Sequence, residues 1–139
     1  MYYIKSEQSF DAAHFLKGYK GKCANIHGHR WRVTCEVKRK TLLSDDHNRD
    51  MLEDFSVVKD ALGKICDKFD HSLIFEAGSL KEETYKALKN EGFSMNEVPF
   101  RPTAEKFAEY FYEELKNMNL EVHRIEVFET PTNSAVYEE

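Results

Sequence analysis

The chain is poor in the features that mark several protein classes. Its 139 residues include only six glycines and three prolines, and acidic residues outnumber basic ones by 25 to 20. The resulting net charge of −5 and the lack of a lysine- or arginine-rich tract argue against a nucleic-acid-binding surface. No apolar run is long enough to cross a bilayer, and the N-terminus lacks the basic start and apolar core of a signal peptide. We therefore expect a cytoplasmic protein with no membrane or nucleic-acid partner.

The cysteines are few, and their number is odd. Cys23, Cys35 and Cys66 follow no disulfide framework, so we interpret them as reduced thiols of a cytosolic protein. The length is typical of one domain, and we expect residues 1–139 to form it.

The most informative stretch is one in which polar and apolar residues alternate. Odd-numbered residues from 31 to 37 are apolar and even-numbered ones from 30 to 38 are polar or charged, which predicts a half-buried strand from His29 to about Lys40. His27 and His29 share the odd parity, so in an extended chain both point to the buried face. Gly28 between them leaves room for a close approach. Two converging neutral imidazoles are typical of a metal site.

A third imidazole comes from the preceding segment. Residues 1–10 predict a first strand that runs on to His14, and residues 17–22 predict a loop. Strands joined by such a loop are most simply antiparallel, which would bring His14 near His27 and His29. Three nitrogen ligands leave one tetrahedral position open, as in catalytic rather than structural zinc sites. The alternative is that Cys23 is a fourth ligand and closes the site.

Three helices are predicted after the second strand. Apolar residues at helical spacing predict one from about Asp54 to Asp70, capped by Asp54 or Ser56. Ser79–Glu82 has the capping-box pattern and predicts a short helix to about Lys89. Thr103 is predicted to cap the third.

The last predicted strand covers residues 121–129. Glu129 has the parity of two apolar residues of this strand, so it faces inward and needs a partner. A further short strand is expected near residues 72–76 or in the tail. This order predicts an α+β fold with helices on one face of an antiparallel sheet, whose open edges favour oligomerisation.

Six short motifs resemble, in the same order, those of the 6-pyruvoyltetrahydropterin synthase superfamily. They are Phe10-Asp11-Ala12-Ala13-His14, Cys23-Ala24-Asn25-Ile26-His27-Gly28-His29, Asp54-Phe55, Asp70-His71, Pro102-Thr103-Ala104-Glu105 and Phe128-Glu129-Thr130. The resemblance covers nearly the whole chain and is closest to the bacterial branch of queuosine biosynthesis. It implies the tunnelling fold, a four-stranded antiparallel sheet with two helices on one face. Subunits of this fold join their sheets into a barrel, commonly as trimers paired into hexamers.

The resemblance also implies a reaction. The expected substrate is 7,8-dihydroneopterin triphosphate, the cofactor is Zn²⁺ held by His14, His27 and His29, and the product is a carboxytetrahydropterin. The motifs leave open a sister synthase that eliminates triphosphate without cleaving the side chain, an aldolase-like member, and a zinc-dependent pterin-binding protein without catalysis.

Roles for the catalytic residues follow from the resemblance. Cys23 is expected to be the base, Asp70 and His71 the proton-handling pair, and Glu129 both the anchor of the pterin ring and a further member of the proton relay. Each has a simpler interpretation, respectively a small buried thiol, a helix terminus at which histidine is favoured, and a solvated carboxylate.

The resemblance implies further substrate contacts. Thr103 and Glu105 are expected to help bind the ring, although Thr103 can equally be a helix cap. Basic residues that can meet the triphosphate are Lys17, Lys20, Lys22 and Arg30, unless they are simply solvated. The segment 76–100 is longer than in compact members, and its extra helix has no assigned role.

Overall fold

The computed structural model describes residues 1–139, which form one six-stranded sheet and three α-helices. The strands are β1 (Tyr2–His14), β2 (His27–Arg39), β3 (Ser72–Glu76), β4 (Met95–Val98), β5 (Val122–Thr130) and β6 (Asn133–Glu138). The helices are α1 (Phe55–Phe69), α2 (Glu82–Asn90) and α3 (Ala104–Asn117), and a short 3₁₀ turn (Lys22–Ala24) lies between β1 and β2. The α+β class is as predicted.

The sheet has the order β4-β3-β1-β2-β5-β6, which corrects the prediction of four antiparallel strands. Strands β1, β2, β5 and β6 are antiparallel neighbours, but β3 and β4 extend the sheet beside β1 in parallel. Each of these two strands follows a helix, which is the crossover that parallel pairing needs. Strand β4 has only four residues and no clear alternation, so nothing in the sequence distinguishes it from a loop.

Two of the three predicted helix caps are confirmed. The Asp54 carboxylate accepts from the Ser56 N–H at 2.8 Å, and the Thr103 hydroxyl accepts from the Lys106 N–H at 3.2 Å. The capping box at Ser79 is wrong. Ser79 Oγ donates to the Glu76 carbonyl at 2.6 Å, and α2 begins after Lys81 with no side-chain cap. The serine hydroxyl closes the turn after β3 instead of the helix end.

The core lies between the sheet and helices α1 and α3. Helix α1 packs on β1, and α3 packs on β5 and β6. Five aromatic residues at its centre are at most 1% exposed: Phe10, Trp31, Phe69, Phe107 and Phe111. Seven pairs of these rings have centroids 5.1 to 6.3 Å apart, in the range of favourable aromatic pairs. None of the helices combines the length and hydropathy that crossing a membrane requires.

The packing of this core predicts that removal of a buried phenyl ring lowers the free energy of unfolding far more than removal of an exposed one. Phe111 is fully buried, so Phe111→Ala should lower the free energy of unfolding by about 3–5 kcal/mol. Phe55 is 60% exposed, so Phe55→Ala should change it by less than about 0.5 kcal/mol. Urea denaturation measures both, and equal losses would contradict the packing described.

Candidate active site

Three histidines converge at the end of the β1–β2 hairpin. The register of the two strands sets His14 opposite His27 and Ala12 opposite His29. His14 Nε2 lies 3.1 Å from His27 Nε2, and one ligand atom from each histidine lies within 4.8 Å of the other two. The predicted approach of the three imidazoles is therefore realised, and these residues can hold a metal ion.

Backbone carbonyls determine which nitrogen of two of these rings is available. His14 Nδ1 is 2.8 Å from the Pro102 carbonyl, and His27 Nδ1 is 2.7 Å from the Asn25 carbonyl. A carbonyl oxygen only accepts, so each Nδ1 carries a proton and each neutral ring keeps a lone pair on Nε2. Two lone pairs that meet at 3.1 Å repel one another unless a cation lies between them. The donor set therefore fits a metal.

The surroundings of two of the rings, those of His14 and His29, favour the neutral form that binds metals. Burial lowers the pKa of His14 to about 4, and the neighbouring His27 and His29 oppose its protonation further. Burial also lowers the pKa of His29, against the opposing influence of Glu129. His29 Nε2 is buried and makes no hydrogen bond, although Glu129 Oε1 lies 3.2 Å away. Neutral imidazoles bind metal without first losing a proton.

The single tryptophan of the chain packs against the group of His14, His27 and His29, which we call the metal group. It covers the side of this group that faces the core. Trp31 is fully buried, and its ring stands nearly perpendicular to those of His14 and His29, with centroids 4.8 and 5.5 Å away. Its indole N–H donates to the Ala12 carbonyl at 3.3 Å. Because Trp31 touches two of the three histidines, its fluorescence should report metal binding directly.

The cysteines separate into two kinds. Burial raises the thiol pKa of Cys35 and Cys66 to about 12, in keeping with their predicted structural role. Cys23 is half-buried on the 3₁₀ turn, and its carbonyl accepts from the Leu16 N–H at 2.8 Å. The converging ligand group consists of histidines alone, so Cys23 is not a fourth member of it.

Asp70 and His71 form a hydrogen-bonded pair at the junction of α1 and β3. Asp70 Oδ2 lies 2.9 Å from His71 Nδ1, and Oδ1 accepts from the Asp11 N–H at 2.9 Å. That backbone bond, followed by the bond to His71, holds the pKa of the Asp70 carboxyl below its usual range. The His71 N–H donates to the Asp11 carbonyl at 2.6 Å. The pair is thus fixed to β1 by Asp11, an anchor that sequence reasoning missed.

A cleft of about 640 Å³ joins this pair to the metal group, since both His29 and His71 line it. Its volume is in the range of small-molecule sites. The segment 76–100 contributes Leu88, Phe93 and Met95 to its wall. The extra helix and strand of that segment therefore have a place beside the site.

A second cleft of about 380 Å³ holds the predicted inward-facing carboxylate. Glu129 lines it together with Arg32 and Phe128, and the Arg32 guanidinium lies 3.7 Å above the Phe128 ring. Gly28, His29 and Arg30 line both clefts, so the two clefts meet at the strand that carries His27 and His29.

The sequence matches the family model described as 6-pyruvoyl tetrahydropterin synthase over residues 3–139. The chain belongs to this family. A relative from Haemophilus influenzae, named 6-carboxy-5,6,7,8-tetrahydropterin synthase, is 36% identical over the full length of both chains. A relative of the same name from Rickettsia bellii is 34% identical, over 88% of this chain and 89% of its own. The predicted membership, and with it the prediction of an enzyme, is confirmed.

The fold agrees with this assignment, because a solved structure of the 6-pyruvoyl tetrahydropterin synthase from Plasmodium falciparum aligns with a TM-score of 0.71 at 21% identity, over 99% of this chain and 97% of that one. A crystal structure of an uncharacterized protein from Wolinella succinogenes aligns with a TM-score of 0.80 at 21% identity. The alignment covers 99% of this chain and 98% of that one. At this level of identity the likeness bears on the architecture of the family and not on the reaction.

Some predicted site residues of this family member lie away from both clefts. Thr103 caps α3 and Glu105 is exposed, and neither lines a cleft. Lys17, Lys20 and Lys22 are also exposed and line neither cleft, whereas Arg30 lines both. The Pro102 and Asn25 carbonyls hold the histidine rings but give no sequence signal, because every residue carries a carbonyl.

The metal group predicts a direct binding result. His27→Ala should weaken Zn²⁺ binding by more than about 100-fold, because changes beyond the ligands alone cost about 10–100-fold. Zn²⁺ titration followed by Trp31 fluorescence and chelator competition measures this loss. His47 is exposed, and His47→Ala is the matched control that should bind like wild type. Full zinc loading of the His27 variant would refute the ligand assignment.

Proposed function

We propose that this chain is a zinc-dependent lyase of queuosine biosynthesis, with residues 1–139 acting as one catalytic domain. It converts 7,8-dihydroneopterin triphosphate and one water molecule to 6-carboxy-5,6,7,8-tetrahydropterin, acetaldehyde and triphosphate. The observation that carries the proposal is the cleft lined by both His29 and His71, because a metal group and a proton-handling pair then face the same substrate. The names of the relatives at 34–36% identity support the choice of reaction.

The metal would be held by His14, His27 and His29. The Nε2 atoms of His14 and His27 are free, and burial lowers the pKa of His14 and His29. When bound there, zinc supplies Lewis-acid polarisation of the substrate's side-chain oxygens. Three protein ligands are the number that catalytic zinc sites use. Trp31 excludes water on the core side.

The Asp70–His71 pair would return a proton to the substrate. Asp70 accepts from His71 Nδ1, which leaves Nε2 as the atom that gives the proton from the imidazolium form. The carboxylate stabilises the positive ring and fixes its orientation. The two bonds to the Asp11 backbone hold both residues in place during the transfer.

Cys23 would take the proton from the side-chain carbon as a thiolate. The thiolate is the reactive form of cysteine, and Cys23 itself lines neither cleft. Because the converging ligand group consists of histidines alone, the thiol remains free for this role. The bond from Leu16 to the Cys23 carbonyl sets the turn that carries it.

The two clefts suit the two parts of the substrate. Glu129 in the smaller cleft would accept the paired N–H donors of the pterin edge. The side chain would then cross His29 and enter the larger cleft that holds His71. Among the basic candidates, Arg30 would meet the phosphates, because it alone lines these clefts. Thr103 and Glu105 would assist at most from a distance.

We further propose that the enzyme works in the cytoplasm as a homo-oligomer, a trimer or a hexamer. Strands β4 and β6 are the outer strands of the sheet, and their free edges are suited to pairing between subunits. The three free thiols of the chain are typical of a protein in a reducing compartment such as the cytoplasm.

The reaction is tested by its products. Anaerobic incubation of zinc-loaded protein with 7,8-dihydroneopterin triphosphate should give 6-carboxytetrahydropterin and acetaldehyde, identified by mass spectrometry. A pyruvoyltetrahydropterin would instead assign the sister synthase on the same site. Tight pterin binding without turnover would assign a binding protein and overturn the lyase.

Substitution of Cys23 distinguishes a role in catalysis from a role in metal binding. Cys23→Ala should keep zinc affinity and lower kcat by about 10²–10⁴-fold, the usual contribution of a general base. Chelator competition and steady-state kinetics on the same preparation measure the two effects. Cys23→Ser, a closer match in size, should behave alike because its hydroxyl is a much weaker base. A loss of zinc in both variants would make Cys23 a ligand instead.

A further inference from the structure

The metal group is connected to the rest of the fold by a hydrogen bond between His14 and Pro102, which lies outside both clefts. His14 is fully buried, and the only partner of its Nδ1 is the Pro102 carbonyl at 2.8 Å. Pro102 lies 88 positions further along the chain, in the segment that leads into α3. The orientation of a metal ligand therefore depends on where this segment sits relative to the end of β1.

Arg101 makes a hydrogen bond that fixes the position of this segment relative to the end of β1. Its Nη2 donates to the Lys17 carbonyl at 2.7 Å, although the two residues are 84 positions apart. Lys17 is only three residues after His14. The Arg101 side chain thus links the loop that follows β1 to the segment that contains Pro102. The bond is charge-assisted, and the planar guanidinium fixes its direction.

The backbone on both sides of this bond is shaped to receive it. Gly18 has a left-handed φ of +83°, and a Cβ added there would lie 3.6 Å from Arg101 Nη2, so the loop turns against the guanidinium. On the other side, the Thr103 N–H donates to the Arg101 carbonyl at 2.8 Å, and Thr103 caps α3. Arg101 and Pro102 are consequently held between a helix cap and a loop.

We propose that Arg101 is a positioning residue for the metal centre. It keeps the Pro102 carbonyl on His14 Nδ1, which holds His14 in the tautomer whose Nε2 faces His27. The same loop carries Cys23, because the Leu16 N–H bonds to the Cys23 carbonyl, so Arg101 also sets the turn of the base. The part that concerns Cys23 rests on the proposed function, whereas the part that concerns His14 does not.

Zinc affinity is the first test. Arg101→Met should weaken Zn²⁺ binding about 10-fold, the lower end of the usual effect of groups that orient metal ligands. Arg101→Lys keeps a cation and should recover part of the affinity. Arg49 is exposed and its side chain makes no ion pair or hydrogen bond, so Arg49→Met is the matched control. Wild-type affinity in Arg101→Met would overturn the proposal.

A second measurement separates positioning from general stability. The ¹⁵N shifts of the His14 ring in the metal-free protein should report one tautomer in wild type and Arg49→Met, and a mixture in Arg101→Met. A single wild-type tautomer in a variant that has lost zinc affinity would refute the stated route. If Arg101→Met does not fold, Arg101→Gln, which is too short to reach Lys17, decides by the same two measurements.

Neither measurement uses the substrate. Weak zinc binding by Arg101→Met, together with a wild-type protein that does not turn over dihydroneopterin triphosphate, would sink the proposed reaction and leave Arg101's role standing. Turnover by wild type together with unchanged zinc affinity in Arg101→Met would support the proposed reaction and refute the role of Arg101. The proposed function and this inference therefore fail separately.

Discussion

The antiparallel register of β1 against β2 is the constraint on which the rest of the structure depends. It pairs thirteen residues of each strand without interruption, from Tyr2 opposite Arg39 to His14 opposite His27. A slip of one residue would turn every side chain of a strand to the other face. The same register stacks Phe10 on Trp31 in the core and brings the histidines together. Core packing and the approach of the histidines therefore depend on a single alignment, and the three histidines are held by rigid strands.

The candidate site lies where several elements end. The hairpin supplies the histidines, the α1–β3 junction supplies Asp70 and His71, and the end of β5 supplies Glu129. Backbone groups do much of the positioning, with the Pro102 and Asn25 carbonyls on histidine rings and the Asp11 backbone on the Asp70–His71 pair. Backbone atoms move only with their element, so these contacts transmit the rigidity of the fold to the site. Burial adds the electrostatic part, because it disfavours protonated imidazoles.

The two parallel strands give this family member a wall that a four-stranded sheet would lack. Strand β3 starts directly after His71 and pairs with the end of β1, and β4 pairs with β3. Residues from α2 and β4 consequently line the cleft together with His29. Helix α2 buries none of its residues in the core, so its place in the structure is better explained by the cleft than by packing.

The sequence by itself determined whatever depends on local periodicity. Alternation gave the inward parity of His27, His29 and Glu129, helical spacing gave the buried faces of α1 and α3, and the residues before them gave two caps. Only the tertiary structure decided what depends on distant backbone. The sequence does not reveal that Pro102 holds His14, that Asp11 holds Asp70, that Arg101 reaches Lys17, or that β4 completes the sheet. Side-chain pattern records which face a residue presents, whereas carbonyl and amide groups are the same in nearly every residue, so their long-range partners leave no mark in the sequence.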